Sequence, residues 1–217
     1  MFINKEIEKK LSFNAADYSF FLDLLELKQE TKGILFQIIQ DMKELPGAIG
    51  GHHGDYKGGL FDHTLLVTNL TYQILKDPKN FEPYFQKLKQ RASTIQENYK
   101  NIDQKKAILC ALYHDFGKVS YYGLKKKISP RYTWTKRMEC RKAHRYIIKK
   151  YRCSGEDKHV SECFAVLMRY DLNFDDEMAK AIIFHHGKFS RYKPFKPNAL
   201  AKLIHLADTI ASKIYNI

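Results

Sequence analysis

The sequence predicts an all-α helical bundle. Three observations carry this: apolar residues recur at helical spacing almost everywhere, one short segment alone alternates with a period of two, and no repeat, low-complexity tract or linker interrupts the pattern. At 217 residues with 44% hydrophobic side chains, the chain can bury one sizeable core and is too short to require two. A single domain over 1–217 is therefore expected, its first 45 residues forming helices that pack on the rest.

Taken in order, Phe20, Phe21, Leu24 and Leu25 mark a first helix, and Leu35, Ile38, Ile39 and Met42 a second, stopped by Pro46-Gly47. The stretch AIGGHHGDYKGGLFDHTLLV (48–67) then places five of the eleven glycines and three of the nine histidines in twenty positions. Its glycines let the backbone turn tightly into a helix over 60–75. An amphipathic stretch over 81–99 leads to a short apolar helix that Asp103 would N-cap and that ends at Gly117. RYTWTK (131–136) is the alternating segment, and with YYGLKKK (121–127) it is a candidate for one small β-hairpin near 121–137. Helices resume over 139–152, 156–170, 175–186 and 198–215.

The four cysteines form no CxxC pair, and no apolar run with a small-residue cleavage site marks a secretory signal, so a cytoplasmic setting with reduced thiols is expected. No uninterrupted apolar stretch approaches the roughly 20 residues of a membrane span, so a soluble protein with no membrane partner is expected. Charge is more informative. The 37 basic and 24 acidic side chains give +13, and 124–152 alone holds twelve Lys or Arg against one acid, Glu139. Such a stripe favours a polyanion. A solvated face that only maintains solubility is the alternative. Against it stand Tyr121, Tyr122, Tyr132, Trp134, Tyr146 and Tyr151, because rings among cations suit single strands whose bases stack while their phosphates are neutralised.

Several polar side chains fall on apolar helical faces. His63 shares a face with Val67, Leu70 and Ile74, and His114-Asp115 ends the helix carrying Ile108, Ala111 and Leu112. His144 aligns with Ile148 and Tyr151, His185-His186 follow Met178, Ile182 and Ile183, and Asp208 lies between Ile204 and Ala211. Imidazoles and carboxylates directed into one core are costly unless compensated, and a buried metal pair compensates all of them. Asp115, with two oxygens, is placed to bridge two ions. Taken singly, each histidine reads as a satisfied core or surface residue; the ordered combination is what points to metal. Two divalent metal ions are expected, with manganese placed first, although these residue types do not distinguish it from iron, nickel, cobalt or magnesium.

This order of residues, His63, His114-Asp115 followed by Gly117-Lys118, then His144, His185-His186 and Asp208, resembles the HD superfamily of metal-dependent phosphohydrolases in its multi-histidine form, over a catalytic core of 49–212. HHGDYKGGLFDHTLLV, LYHDFGKV and IIFHHG are most similar to the HD domain of YhaM-type 3′-to-5′ exoribonucleases and, less closely, to HD domains attached to conjugative relaxases. The resemblance implies an HD-domain bundle in which His63, His114, Asp115 and Asp208 hold one ion. It implies that Asp115, His144, His185 and His186 hold the second. Adjacent helical positions differ by about 100°, which makes His186 the outlying member. His159 and His205 match no motif position and read as structural. Hydrolysis by water activated between two ions is further implied, with Asp115 central. Lys118 either offsets charge on the phosphoryl oxygens or serves only as a helix C-terminal lysine.

The expected substrate is single-stranded RNA or DNA, cut from the 3′ end. His52 and His53 would stand at the mouth of the metal site, and Lys125, Lys126, Lys127, Arg131, Trp134, Lys188 and Arg191 would come from the basic, aromatic segments that follow Asp115 and His186. A phosphohydrolase of nucleoside mono- or triphosphates and a non-catalytic nucleic-acid-binding module are the alternatives. The Gly-Tyr-Pro element of HD-GYP cyclic-dinucleotide phosphodiesterases is missing after His186, where the chain reads GKFSRYKPF. The YhaM pattern also includes an upstream OB-like module, for which the first 45 residues are too short. Either the basic stripe replaces that module or the substrate is smaller.

Overall fold

The computed structural model describes residues 1–48, 54–87, 99–123 and 130–217, with the backbone alone at 121, 123 and 130–136. Eleven α-helices lie within them: α1 (Lys5–Lys10), α2 (Tyr18–Leu24), α3 (Gln29–Met42), α4 (Gly59–Lys76), α5 (Glu82–Lys87), α6 (Gln104–Tyr113), α7 (Phe116–Gly123), α8 (Pro130–Tyr151), α9 (Lys158–Arg169), α10 (Asp176–Phe184) and α11 (Ala199–Lys213). Among the described residues there is no sheet, only one antiparallel bridge between Ser154 and Lys193, so the bundle is all-α as the sequence predicts. No described helix is long and apolar enough to cross a membrane.

The core is organised around α4. Every residue from Gly59 to Thr71 is buried, and a helix enclosed on all sides belongs at the centre of a bundle. α6 and α11 flank it, α10 packs on α11, and α9 packs most extensively on α7 and α8. The polar members of a central helix need internal partners. Asn69 accepts from the Ala16 N–H at 2.8 Å and donates to the Ala16 carbonyl at 2.9 Å. Asp62 accepts from the N–H groups of Ile3 and Asn4 at 2.6 and 2.8 Å and from the Tyr56 hydroxyl at 2.7 Å. The N-terminal segment is thus latched to α4 at two points. At the start of α4, Gly58 sits at φ +89°, and the N–H groups of Gly58 and Leu60 both donate to the Leu45 carbonyl, tying the glycine-rich turn to the end of α3.

Local signals explain most helix starts. Asp17, Asp103, Asp157, Asp175 and Asn198 each accept a backbone N–H from the first turn of the helix that follows. Asp103 is the cap read from the sequence. Two expectations are corrected. The helix expected to run to Gly117 breaks at His114-Asp115, where α6 ends and α7 begins. There His114 donates Nδ1–H to the Ala111 carbonyl at 2.7 Å, satisfying an acceptor that a helix end leaves open, and the break turns both side chains inward. The β-hairpin near 121–137 is replaced by helix: 121–123 close α7 and 131–136 open α8. Pro130 suits a first helical position, where no N–H is needed, and Ala143 and Ile147, four apart and fully buried, impose a helical period on the rest of α8. Of the amphipathic stretch expected over 81–99, Glu82–Lys87 is helical, and 88–98 lie outside the described residues.

Candidate metal centre

Four helix ends and one helix middle deliver the donors. His63 stands near the start of α4, His114-Asp115 between α6 and α7, His159 in the first turn of α9, His185-His186 just past α10, and Asp208 within α11. His63, His114 and Asp208 offer ligand atoms that all lie within 4.8 Å of one another, as do His159, His185 and His186. His63, His114, Asp115 and His185 are 2% exposed or less, so the centre lies inside the protein.

The hydrogen bonds fix which ring nitrogens face inward. A carbonyl can only accept, so the imidazole nitrogen beside it carries the proton and the other keeps its lone pair. His63 Nδ1 lies 2.8 Å from the Ile217 oxygen, His114 Nδ1 2.7 Å from the Ala111 oxygen, and His185 Nδ1 2.7 Å from the Ile182 oxygen. His114 and His185 therefore aim Nε2 lone pairs inward. His63 Nε2 faces His114 Nε2 at 3.4 Å and Asp208 Oδ1 at 3.2 Å. His185 Nε2 and His159 Nδ1 are buried with no hydrogen-bond partner among the described residues. Each such orphan costs about 1–3 kcal/mol. Converging and orphaned imidazole nitrogens are what a cation would compensate, and five imidazoles with two carboxylates suit a first-row divalent metal, so the residues fit one.

Asp115 lies between the two groups. Its Oδ2 is 3.6 Å from Nε2 of both His63 and His114, while its Oδ1 is 2.8 Å from His159 Nε2. The His185 ring, 5.4 Å from those of both His114 and His159, links the groups on another side. Burial lowers His114 to about 4 and His185 well below the ordinary imidazole range, which leaves both neutral. Burial acts against the Asp115 carboxylate, but the neighbouring Lys118 ammonium, foremost among the opposing groups, outweighs it and holds the group well below the usual carboxylate range. Asp208 is held low in the same way, with its hydrogen bond to His63 foremost against burial. His186 is raised because the carboxylate of Asp157, 3.4 Å from its Nδ1, outweighs the effect of burial.

The other residues singled out by sequence divide clearly. Lys118 Nζ lies 2.7 Å from Asp115 Oδ2 and donates to the Gly47 carbonyl at 2.7 Å. His144 stands outside both groups: its Nδ1 is 3.1 Å from the Tyr192 hydroxyl, which in turn is 2.8 Å from Ser161 Oγ. In its place the structure puts His159, which the sequence reading set aside as structural. The signal was present, because His159 shares a helical face with the buried Cys163 and Val166. Gly117 makes the approach possible. A Cβ there would lie 2.2 Å from the His159 oxygen and 2.6 Å from the Cys163 nitrogen. His205 donates to the His185 carbonyl at 2.8 Å and supports that turn from below.

A cavity of about 1180 Å³ meets the centre at His159, His186 and Asp208. Lys188 and Arg191 line it, as do Lys158, Lys202 and Lys213, which the sequence reading did not select. Arg131 and Trp134 stand in the first two turns of α8, where the backbone alone is described. His52, His53, Lys125, Lys126 and Lys127 lie outside the described residues.

The family model for the HD domain matches residues 60–213, which contain every donor named above. No curated protein and no solved structure matches the chain.

Proposed function

From the premise that the chain belongs to the HD-domain family, whose members are typically metal-dependent phosphohydrolases that bind divalent ions, we propose that it is a two-metal nuclease acting on single-stranded nucleic acid from the 3′ end. The observation that carries this is the cavity that opens onto the two His/Asp groups, lined by five Lys or Arg side chains. At about 1180 Å³ it exceeds the roughly 300–1,000 Å³ of ordinary small-molecule sites, which favours a strand over a lone nucleotide.

His63, His114 and Asp208 would hold one ion, His159, His185 and His186 the other, and Asp115 would present one oxygen to each. Divalent ions so held supply Lewis acidity toward a phosphoryl oxygen and make water a nucleophile near neutral pH. The protein's own part is preorganisation. Neutral His114 and His185 keep their lone pairs and are oriented by backbone carbonyls, while Asp115, held by Lys118, and Asp208 stay ionised. Two carboxylates would offset only half the charge of two divalent ions, and an entering phosphodiester would offset part of the remainder. Lys118, kept protonated because Asp115 outweighs the effect of burial, is a positioning residue for Asp115 in this reading.

The test is manganese-dependent hydrolysis of 5′-labelled single-stranded RNA and DNA, beside an Asp115→Ala control and a panel of nucleoside triphosphates. A wild-type-only ladder shortened from the 3′ end is the expected result, with turnover lowered at least a hundredfold in the variant. Intact strands with turnover of a nucleotide would transfer the chain to the nucleotide phosphohydrolases. No turnover by metal-loaded protein would remove the enzymatic reading.

A further inference from the structure

Phe189 is 70% exposed, although it lies close in sequence to the fully buried His185. It closes the short turn Gly187–Phe189 that follows His186, and its N–H donates to the His186 carbonyl at 3.2 Å. The turn is held on both sides. His205 donates to the His185 carbonyl, and the buried Ser190 donates its hydroxyl to the Ile183 carbonyl at 3.0 Å and its N–H to the Gly187 carbonyl at 3.0 Å. The other rings on the cavity are engaged: Phe195 packs edge-on against Phe184 with centroids 5.5 Å apart, and Tyr99 is buried. Phe189 instead presents its ring to the cavity, with the Lys188 ammonium 5.3 Å from its centroid. A flat ring on a fixed turn, with a cation at its face and metal donors one turn away, has the parts of a nucleobase platform: stacking for the base and a charge for its phosphate.

We propose that Phe189 stacks a nucleobase next to the phosphate that enters the metal centre, making an unpaired base a requirement for productive binding. This rests on the nucleic-acid reading above and adds to it a specificity-determining residue. A base inside a duplex has both faces covered by its neighbours, so a ring that stacks a base next to the scissile phosphate would select strands unpaired there. Because the ring stacks on any base, it would not select sequence.

The experiment measures binding of a 5′-fluorescein single strand with cleavage-resistant phosphorothioate linkages by anisotropy on manganese-loaded protein, using wild type, Phe189→Ala, Phe189→Leu and Phe189→Trp. A second series of strands carries one abasic site moved through the last four positions. Phe189→Ala should weaken binding of the intact strand about tenfold, Phe189→Trp should restore it, and Phe189→Leu, similar in bulk but without a flat face, should not. One abasic position should weaken wild type by the same factor and leave Phe189→Ala unaffected. Equal losses for Phe189→Ala on intact and abasic strands, or recovery by Phe189→Leu, would overturn the platform alone. Failure of wild type to bind any strand would overturn the nucleic-acid reading and the platform with it.

Discussion

His144 meets the Tyr192 hydroxyl at 3.1 Å, and His159 meets the Asp115 carboxylate at 2.8 Å. Both lie on helices with apolar partners on the same face, and only three dimensions show that one reaches Tyr192 and the other Asp115. The expected outcome is that His159→Ala loses one equivalent of metal, or binds it at least tenfold more weakly, while His144→Ala keeps two, as measured by titration calorimetry and elemental analysis. The reverse result would return the second ion to the ligand set implied by resemblance. His63, His114, Asp115, His185, His186 and Asp208 were legible as a group because each is a polar residue on an apolar face, and burying such residues, as the structure does with the first four, needs a reason. The carbonyls that set their tautomers were not, since Ile217 and His63 meet only in the folded chain. Phe189 was equally hidden, because an aromatic residue in a sequence reads as core until its exposure is known.

Helices meet where their surfaces allow it, and α7 meets α9 through a glycine. The Cβ of Gly117→Ala would collide with the backbone at His159 and Cys163, so α9 must retreat. That substitution should cost about 1–3 kcal/mol in thermal unfolding and weaken the second ion more than the first, since His159 moves with α9. Unchanged stability and full metal content would mean that the helices are not held as closely as described. Most helix starts were legible because their caps are local: Asp103 and the N–H that it receives are three residues apart. The break at His114-Asp115 was not, because its cause is the burial of those side chains among distant helices. The misread hairpin has the same origin. Six alternating residues are a weak local pattern, and the long α8 follows the packing of Ala143 and Ile147 instead.

For the molecule as a whole, the centre makes stability depend on pH. The imidazole of His114 falls from an ordinary 6.5 to about 4 through burial, so in metal-free protein the unfolded chain binds its proton first as pH falls. Stability is therefore lost between about pH 6.5 and 4, by about 3 kcal/mol for this group, and His185 acts in the same direction. Asp115 and Asp208, held low, continue the loss at more acid pH. His186 runs the other way, being raised by Asp157, and its contribution fades as pH rises through its folded value. The melting temperature of chelated protein should fall steadily from pH 7.5 to 5, and a flat profile would show that these imidazoles are not buried neutral. The same distribution of donors sets an order of assembly during synthesis. The first group draws on residues 63, 114 and 208, and His63 is oriented by the carbonyl of residue 217. A nascent chain that has not yet released α11 from the ribosome offers only two of the three ligands, with one of them unoriented. The first group is thus complete only once the chain has folded through α11, so an ion held there would enter a folded domain rather than guide its early steps.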